Sequence, residues 1–274
     1  MSQSETSELI RSPLDTAHFT VASLPGSKPM GGVVADTPVH AFRNLPAALR
    51  FASEQALKPA RTDLVLPGLM AFIIDNVVTA TEADALIAWS EKLGYRSEAP
   101  GISTPPGMRM NKTVHWVAEQ DLLGPILERI SPLLPKEIDG DVLHDRLSHR
   151  INMYRYDADD VFNRHLDGDW PGFGLSADGT SMLEWPGLRS KLTMLLYLND
   201  ANDGVRGGST LLYGHRGEIL EVQPRKGAAL FFRHGFHTQS VAHVGARVDA
   251  GTPKYVARIN VMYEQGNNRL PRRD

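Results

Sequence analysis

Two potential metal ligands stand two residues apart near the middle of the chain, in Asn163-Arg-His165-Leu-Asp167. Side chains at positions i and i+2 of an extended segment point to the same side, so His165 and Asp167 can reach one ion. A third ligand, a histidine from a distant strand, would complete a set of two histidines and one carboxylate. Such a set covers one face of an octahedral iron ion and leaves three positions open, which oxygen chemistry requires.

The His-x-Asp pair is weak evidence when it is taken alone. With 10 His and 32 acidic residues in 274 positions, chance predicts about one His-x-Asp/Glu sequence in a chain of this composition. The plain alternative is a turn histidine beside a solvated aspartate. The metal hypothesis therefore depends on what surrounds the pair.

Three histidines are candidates for the third ligand: His234, His237 and His243. The first two follow the apolar run 228–232, where a structural histidine is the plain alternative. His243 lies one predicted strand further on and is followed by Gly245. Spacing alone ranks His243 first, without excluding the other two.

A predicted strand near the carboxyl end, residues 254–263, carries Lys254 and Arg258 on one face. Buried cations need partners, so this face meets either water or an anion. Tyrosines on two other predicted strands could add hydroxyl groups to an anion site. These are Tyr197 and the pair Tyr154 and Tyr156, for each of which a core ring is the plain alternative.

The pattern of the chain predicts an α+β protein that is mainly β. Residues 1–60, rich in Ser, Thr, Pro and Gly, predict a partly irregular extension. Residues 61–145 predict a supporting region with a strand at 69–75 and a helix from a capping box at Thr81 to Leu93. A second helix is predicted within 118–130, broken or restarted at Pro125.

Residues 146–265 predict a core of short strands, and 266–274 a basic tail. The predicted strands are 151–157, 191–198, 209–213, 219–222, 227–233, 239–244 and 254–263. Short strands at such spacing are typical of a sandwich or jelly roll. The intervening segment 168–184 predicts either a lid or a mobile surface loop.

Composition narrows the function classes. The chain has no cysteine, which leaves histidine and carboxylate as metal ligands. Its net charge of −3 gives no basic footprint for nucleic acid. No apolar run reaches the length of a membrane span, and no secretory signal is visible, so we expect a cytoplasmic protein.

The order of these motifs resembles the prolyl 4-hydroxylase-like family of Fe(II)/2-oxoglutarate-dependent dioxygenases. The resemblance covers about 146–264. The matching segments are Tyr154-Arg-Tyr156, His165-Leu-Asp167-Gly168, Leu195-Leu-Tyr197-Leu-Asn199, Gly207-Gly-Ser-Thr210, Val222-Gln-Pro-Arg-Lys-Gly227 and His243-Val-Gly245, followed by Lys254-Tyr255.

The resemblance implies a double-stranded β-helix with flanking N-terminal helices. It also implies Fe(II) held by His165, Asp167 and His243, with 2-oxoglutarate as co-substrate and ascorbate as a stimulant. Lys254 falls where the family places the basic residue for the distal carboxylate of 2-oxoglutarate. The family has one residue fewer between Gly251 and this lysine, which leaves Arg258 as a competitor.

By the same resemblance, Tyr197, Tyr156 and Tyr154 belong to the 2-oxoglutarate site. The implied reaction uses O2 to hydroxylate a substrate, with release of succinate and CO2. We expect a small-molecule or amino-acid-like substrate, with peptidyl proline as the alternative. A non-enzymatic, cupin-like ligand-binding jelly roll is the second alternative.

Overall fold

A computed structural model describes residues 18–53 and 57–266. The helices are α1 (Ala80–Leu93) and α2 (Gln120–Ile130), with short 3-10 turns at 47–49, 131–133 and 201–203. Within the described ranges, no helix is long and apolar enough to span a membrane. The strands are β1 (His18–Ser27), β2 (Val33–Phe42), β3 (Ala60–Asp63), β4 (Ala71–Asp75), β5 (Ala99–Pro100), β6 (Lys112–Val117), β7 (Glu137–Ile138), β8 (Asp141–Leu147), β9 (Arg150–Tyr156), β10 (Phe162–His165), β11 (Pro171–Leu175), β12 (Met182–Tyr197), β13 (Thr210–Tyr213), β14 (Ile219–Val222), β15 (Ala229–Arg233), β16 (Ala242–Gly245) and β17 (Lys254–Glu264).

The strands form two sheets. The major sheet has the order β3-β4-β15-β12-β17-β9-β6-β2-β1-β5, with β11 paired to β12, β8 to β17 and β7 to β8. The minor sheet has the order β10-β16-β13-β14. Side chains from both sheets pack in one apolar cluster, Leu195 and Val256 from the major sheet with Leu212 from the minor one. The two sheets therefore face each other as a double-stranded β-helix, which confirms the predicted fold class.

The other face of the major sheet is buried by the two helices. Leu86 of α1 and Leu122 of α2 pack with Met153 and Ile259 in a second apolar cluster. Strands covered on both faces are apolar along their whole length, and β15 is buried at all five positions. This explains why its sequence shows no polar-apolar alternation.

The N-terminal extension is the main difference from the sequence prediction. Residues 18–42 form β1 and β2, and β2 joins the sheet in parallel with β6 through Val39 opposite His115. The prediction of an irregular arm is wrong for this segment. Its glycines lie in bulges and in the hairpin turn, where Gly31 and Gly32 have positive φ. Residues 1–17, and 267–274 of the predicted basic tail, lie outside the described residues.

Helix α1 ends as predicted but begins earlier. Thr79, rather than Thr81, is the N-cap: its side chain accepts from Glu82 N, and its backbone N donates to the Glu82 carboxylate. Each threonine is followed three residues later by an acidic residue, so the capping-box pattern fits the sequence at both positions.

Helix α2 continues through Pro125, against the predicted break. Pro125 has no N–H for the carbonyl of Asp121, and that carbonyl accepts instead from Phe51 N. The predicted loop 168–184 is also wrong in part, because β11 pairs with the start of β12 as a hairpin.

The buried Glu82–Arg129 pair joins the two helices. Arg129 donates to both carboxylate oxygens of Glu82, at 2.9 and 2.8 Å, and both side chains are almost fully buried. We expect Glu82→Ala to lower the free energy of unfolding by about 3–5 kcal/mol, because it leaves Arg129 buried without its counter-charge. Urea unfolding measures this loss. Glu128→Ala, at an exposed position of α2, is the matched control, and an equal loss in both variants would contradict the assignment.

Candidate metal centre

Three predicted ligands converge at one point between the two sheets. His165 is the last residue of β10 and pairs directly with His243 of β16, while Asp167 follows His165 by two residues. One ligand atom from each lies within 4.8 Å of the others. Two imidazoles and one carboxylate at this separation could hold a divalent metal ion.

Both histidines present the same ring nitrogen to this point. The backbone carbonyl of Asn163 lies 2.7 Å from His165 Nδ1, and that of Val241 lies 3.3 Å from His243 Nδ1. Because a carbonyl only accepts, each Nδ1 carries the proton, which leaves the lone pair on Nε2. Burial lowers the pKa of His243 to about 3, so this imidazole is neutral at physiological pH.

The carboxylate of Asp167 is held by one of its two oxygens. Oδ2 accepts from Arg258 Nε at 2.9 Å and from Thr193 Oγ1 at 2.6 Å. Oδ1 faces His165 Nε2 at 3.6 Å. Burial opposes ionisation, but the Arg258 guanidinium and the neighbouring imidazoles hold the pKa of Asp167 well below its usual range. A fixed, ionised carboxylate with one free oxygen suits a metal ligand.

A chain of hydrogen bonds continues from Thr193 away from the three ligands. Thr193 gives its proton to Asp167, so it accepts from His234 Nδ1 at 2.7 Å. His234 Nε2 lies 2.8 Å from Ser190 Oγ, which accepts from Trp170 N at 2.8 Å. Burial lowers the pKa of His234 to about 3, which keeps it neutral within this chain.

The other two candidate histidines are therefore not brought to the centre. His234 acts one layer behind Asp167, through Thr193. His237 is exposed to solvent. Of the three histidines that the sequence left open, the structure brings His243 alone to His165 and Asp167.

A cavity surrounds the three ligands, and we name it the triad cavity. It is lined by Tyr154, Tyr156, Phe162, His165, Asp167, Leu195, Thr210, His243, Gly245, Lys254, Val256 and Arg258. Leu195 and Val256 supply apolar walls between charged ends. Seven of the eight residues proposed from the sequence line this cavity.

Lys254 lies in the triad cavity between two tyrosine rings. Its Nζ donates to the carbonyl of Gly208 at 2.5 Å and lies 5.0 Å from the ring centroid of Tyr156 and 5.7 Å from that of Tyr197. Burial lowers its pKa to about 7. In the described part of the chain no carboxylate pairs with Lys254, so its charge is free for a bound anion.

Tyr197 is the proposed residue that does not line the triad cavity. Its hydroxyl donates to Thr210 Oγ1 at 2.9 Å, and Thr210 takes the place at the cavity wall. The sequence signal for Thr210 was the Gly-Gly-x-Thr motif. The glycines of this motif allow close approach, because a Cβ on Gly208 would lie 3.0 Å from Lys254 Cδ and its φ is +69°.

Arg258 and Lys254 have different neighbours, although they share a strand face. Nε of Arg258 donates to the charged carboxylate of Asp167, whereas Nζ of Lys254 donates to the neutral carbonyl of Gly208. The two residues that the sequence left open therefore differ in their bonding partners. Gly245, like Gly208, allows a close approach to a neighbouring side chain, because a Cβ on Gly245 would lie 3.0 Å from the Tyr156 hydroxyl oxygen.

A second cavity lies on the other side of Arg258, and we name it the arginine cavity. It is lined by Ile102, Ser148, Arg150, Asn152, Trp170, Phe173, Arg258 and Asn260. Trp170 and Phe173 come from the β11 hairpin. Sequence analysis missed this site, although Arg150, Asn152, Tyr154 and Tyr156 alternate along β9 and so share one face.

Residues 151–262 match the family model of the 2OG-Fe(II) oxygenase superfamily, a range that contains all eight residues proposed from the sequence. No curated protein matches the chain.

The solved structures that resemble the chain include three prolyl hydroxylases. The viral collagen prolyl hydroxylase of Paramecium Bursaria Chlorella virus-1, in its 2OG complex, is 18% identical and has a TM-score of 0.49, with 73% of this chain and 99% of that chain covered. A Pseudomonas putida prolyl-4-hydroxylase is 15% identical, with a TM-score of 0.45 over 77% and 94% of the two chains. A Trichoplax adhaerens prolyl hydroxylase, in complex with a hypoxia inducible factor oxygen degradation domain peptide fragment, is 16% identical, with a TM-score of 0.47 over 73% and 85%.

At these identities and TM-scores, the assignment depends on the family model. Its range includes every ligand of the candidate centre and both sides of the triad cavity. Residues 151–262, which contain the whole candidate centre, accordingly match the 2OG-Fe(II) oxygenase superfamily.

Proposed function

We propose that His165, Asp167 and His243 bind the Fe(II), and that the enzyme oxidises a small molecule in the arginine cavity. The observation that carries this proposal is the arrangement of two cavities on either side of Arg258. One contains the three candidate ligands and an unpaired lysine, and the other lies against the same arginine. A co-substrate and a substrate would thus occupy separate places beside one metal.

The donor set fits the metal on the chemistry of its atoms. Two imidazoles offer Nε2, because Nδ1 of each faces a backbone carbonyl. Asp167 offers Oδ1 while Arg258 and Thr193 hold Oδ2. When bound, iron and 2-oxoglutarate supply the oxidising power, as O2 is reduced and 2-oxoglutarate is converted to succinate and CO2. The chain's own residues orient these groups and keep water out.

Lys254 is the proposed partner of the distal carboxylate of 2-oxoglutarate. Its ammonium group has no carboxylate partner among the described residues, and Thr210 and Tyr156 line the same cavity. Leu195 and Val256 would contact the methylene groups of the co-substrate. Arg258 has a different proposed role, which is to hold Asp167 in the orientation that the metal requires.

The direct test is succinate formation from 2-oxoglutarate with Fe(II) and ascorbate. We expect His165→Ala and His243→Ala each to reduce it to the level of metal-free protein, because each removes a ligand. His237→Ala, which removes an exposed histidine, is the matched control and retains the wild-type rate. Retention of the wild-type rate by His165→Ala or His243→Ala would contradict the proposal.

The hydrogen bond from Thr193 gives a second prediction. We expect Thr193→Val to weaken Mn(II) binding about 10- to 100-fold, because Asp167 loses one of the two donors that orient it. Thr193→Ser retains the hydroxyl and recovers most of the affinity. Calorimetric titration of Mn(II) measures both variants, and equal affinity in Thr193→Val and wild type would show that Thr193 does not orient the ligand.

The lowered pKa of Lys254 predicts a pH dependence. Below about pH 7 the amine is already protonated, whereas above it 2-oxoglutarate binding must take up a proton. We expect the Kd of 2-oxoglutarate to rise by up to about tenfold per pH unit above pH 7. Calorimetry at saturating Mn(II) between pH 6.5 and 8.5 measures this slope. Lys254→Arg, which stays protonated, removes the slope, and a flat wild-type profile would argue against Lys254 as the partner.

A further inference from the structure

Arg150 is a buried cation whose partners are both neutral. On β9, its Nη2 donates to the carbonyl of Pro100 at 2.6 Å and to His115 Nδ1 at 3.0 Å. Nε has no hydrogen-bond partner among the described residues. Within the same residues, no carboxylate forms an ion pair with this guanidinium. A buried charge without a counter-charge is costly to fold around, which calls for an explanation.

Comparison with Arg109 shows that Arg150 is more than a structural link. Arg109 is also buried, but it donates through two nitrogens to the carbonyls of Asn111, Ser27 and Ser97. It does not line the arginine cavity. Arg150 uses a single nitrogen for both of its bonds, and it does line that cavity. Arg150 therefore differs from Arg109 in lining the cavity and in bonding through one nitrogen only.

Two further groups in the same cavity lack partners. The hydroxyl of Ser148 and Oδ1 of Asn260 are buried and form no hydrogen bond with any described residue. Buried polar groups of this kind are rarely left unsatisfied in the working state of a protein. A ligand with an anionic oxygen for Arg150 and Ser148, and an N–H or O–H donor for Asn260, would satisfy all three.

The charges around Arg258 favour the same ligand. Arg258 is paired with Asp167, and in the proposed function Lys254 is paired with the distal carboxylate of 2-oxoglutarate. Arg150 is the one cation of these three left without a counter-charge. A neutral substrate would leave the Arg150 charge without a counter-charge, whereas an anionic substrate would compensate that charge.

We propose that the arginine cavity binds the carboxylate of a carboxylic-acid substrate, with Arg150 as its counter-ion. The ligand's role as substrate depends on the proposed function, whereas the carboxylate site itself does not. A planar carboxylate matches the planar guanidinium, which can donate two parallel hydrogen bonds to it. Trp170 and Phe173 cover the apolar part of the ligand. A free amino acid and the carboxyl terminus of a peptide share this chemistry.

The first test uses isobutyrate and its neutral isostere isobutyramide as probes. The full chain is loaded with Mn(II) and saturating 2-oxoglutarate, so that the triad cavity is filled, and Trp170 emission is followed. We expect saturable binding of isobutyrate and binding of isobutyramide that is weaker by about 10- to 100-fold. Trp170→Phe identifies the reporter by removing the signal.

Variants of two arginines complete this test. Arg150→Gln is expected to lower isobutyrate affinity to that of the amide, while Arg150→Lys retains part of it. Arg146→Gln, at an exposed position of β8, is the matched control and binds as the wild type does. Circular dichroism confirms that the variants are folded. No saturable response in wild type, equal binding of the amide, or an unchanged Arg150→Gln would each overturn the proposal.

The source of the carboxylate is resolved by stimulation of succinate formation. Free amino acids and tripeptides with a free carboxyl terminus are compared with their amidated forms. Stimulation by either acid form alone supports the proposal and identifies the source, whereas equal stimulation by an amidated prolyl peptide overturns it. Absence of any 2-oxoglutarate turnover would contradict the proposed function instead, while the isobutyrate titration still tests the carboxylate site.

Discussion

The ion pair between Arg258 and Asp167 is the interaction on which the rest of the centre depends. It gives Arg258, on β17 in the middle of the major sheet, a counter-charge. It also holds Oδ2 of Asp167, so that Oδ1 faces the two imidazoles. Arg258 also lines both the triad cavity and the arginine cavity. Loss of this pair would leave a buried cation and a free carboxylate at once, which is the costly way to break a buried ion pair.

Polarity changes in steps along the paired strands β9 and β17. Tyr156 pairs with Lys254, Tyr154 with Val256, and Asn152 with Arg258. The Lys254 ammonium lies at one end of the triad cavity, and Val256 forms an apolar wall of the cavity. Arg258 lies at the other end, beside the candidate metal ligands. Two strands in fixed register therefore determine the order in which a bound molecule meets charge, hydrocarbon and metal.

The sequence predicted the elements that alternate and the motifs that carry chemistry. Six of the seven strands predicted in 151–263 begin and end within a few residues of observed ones, whereas β12 begins nine residues before the prediction. The triad residues come together. Strands β1 and β2 were missed because the glycines and prolines of this segment are signals of turns and loops. The N-cap of α1 was misplaced because two overlapping capping-box patterns fit.

Side-chain partnerships were beyond the reach of the sequence. The role of Thr193 depends on the distance from its hydroxyl to Asp167, and that of His234 depends on Thr193 in turn. The shared strand face of Lys254 and Arg258 does not reveal which of them has a carboxylate partner. Arg150 required knowing that its acceptors are uncharged. Each of these follows from tertiary contacts between residues far apart in the chain.

The hydrogen bonds from Trp170 through Ser190, His234 and Thr193 to Asp167 run in one direction, each donor giving its proton towards the carboxylate. One end of this chain of hydrogen bonds lies at the arginine cavity, and the other lies at the candidate metal ligands. If a ligand beside Trp170 changed the affinity of the candidate centre for a metal ion, the metal ion would change the affinity for that ligand by the same free energy. The hydrogen bonds therefore connect the hairpin that covers one cavity with the carboxylate that lines the other.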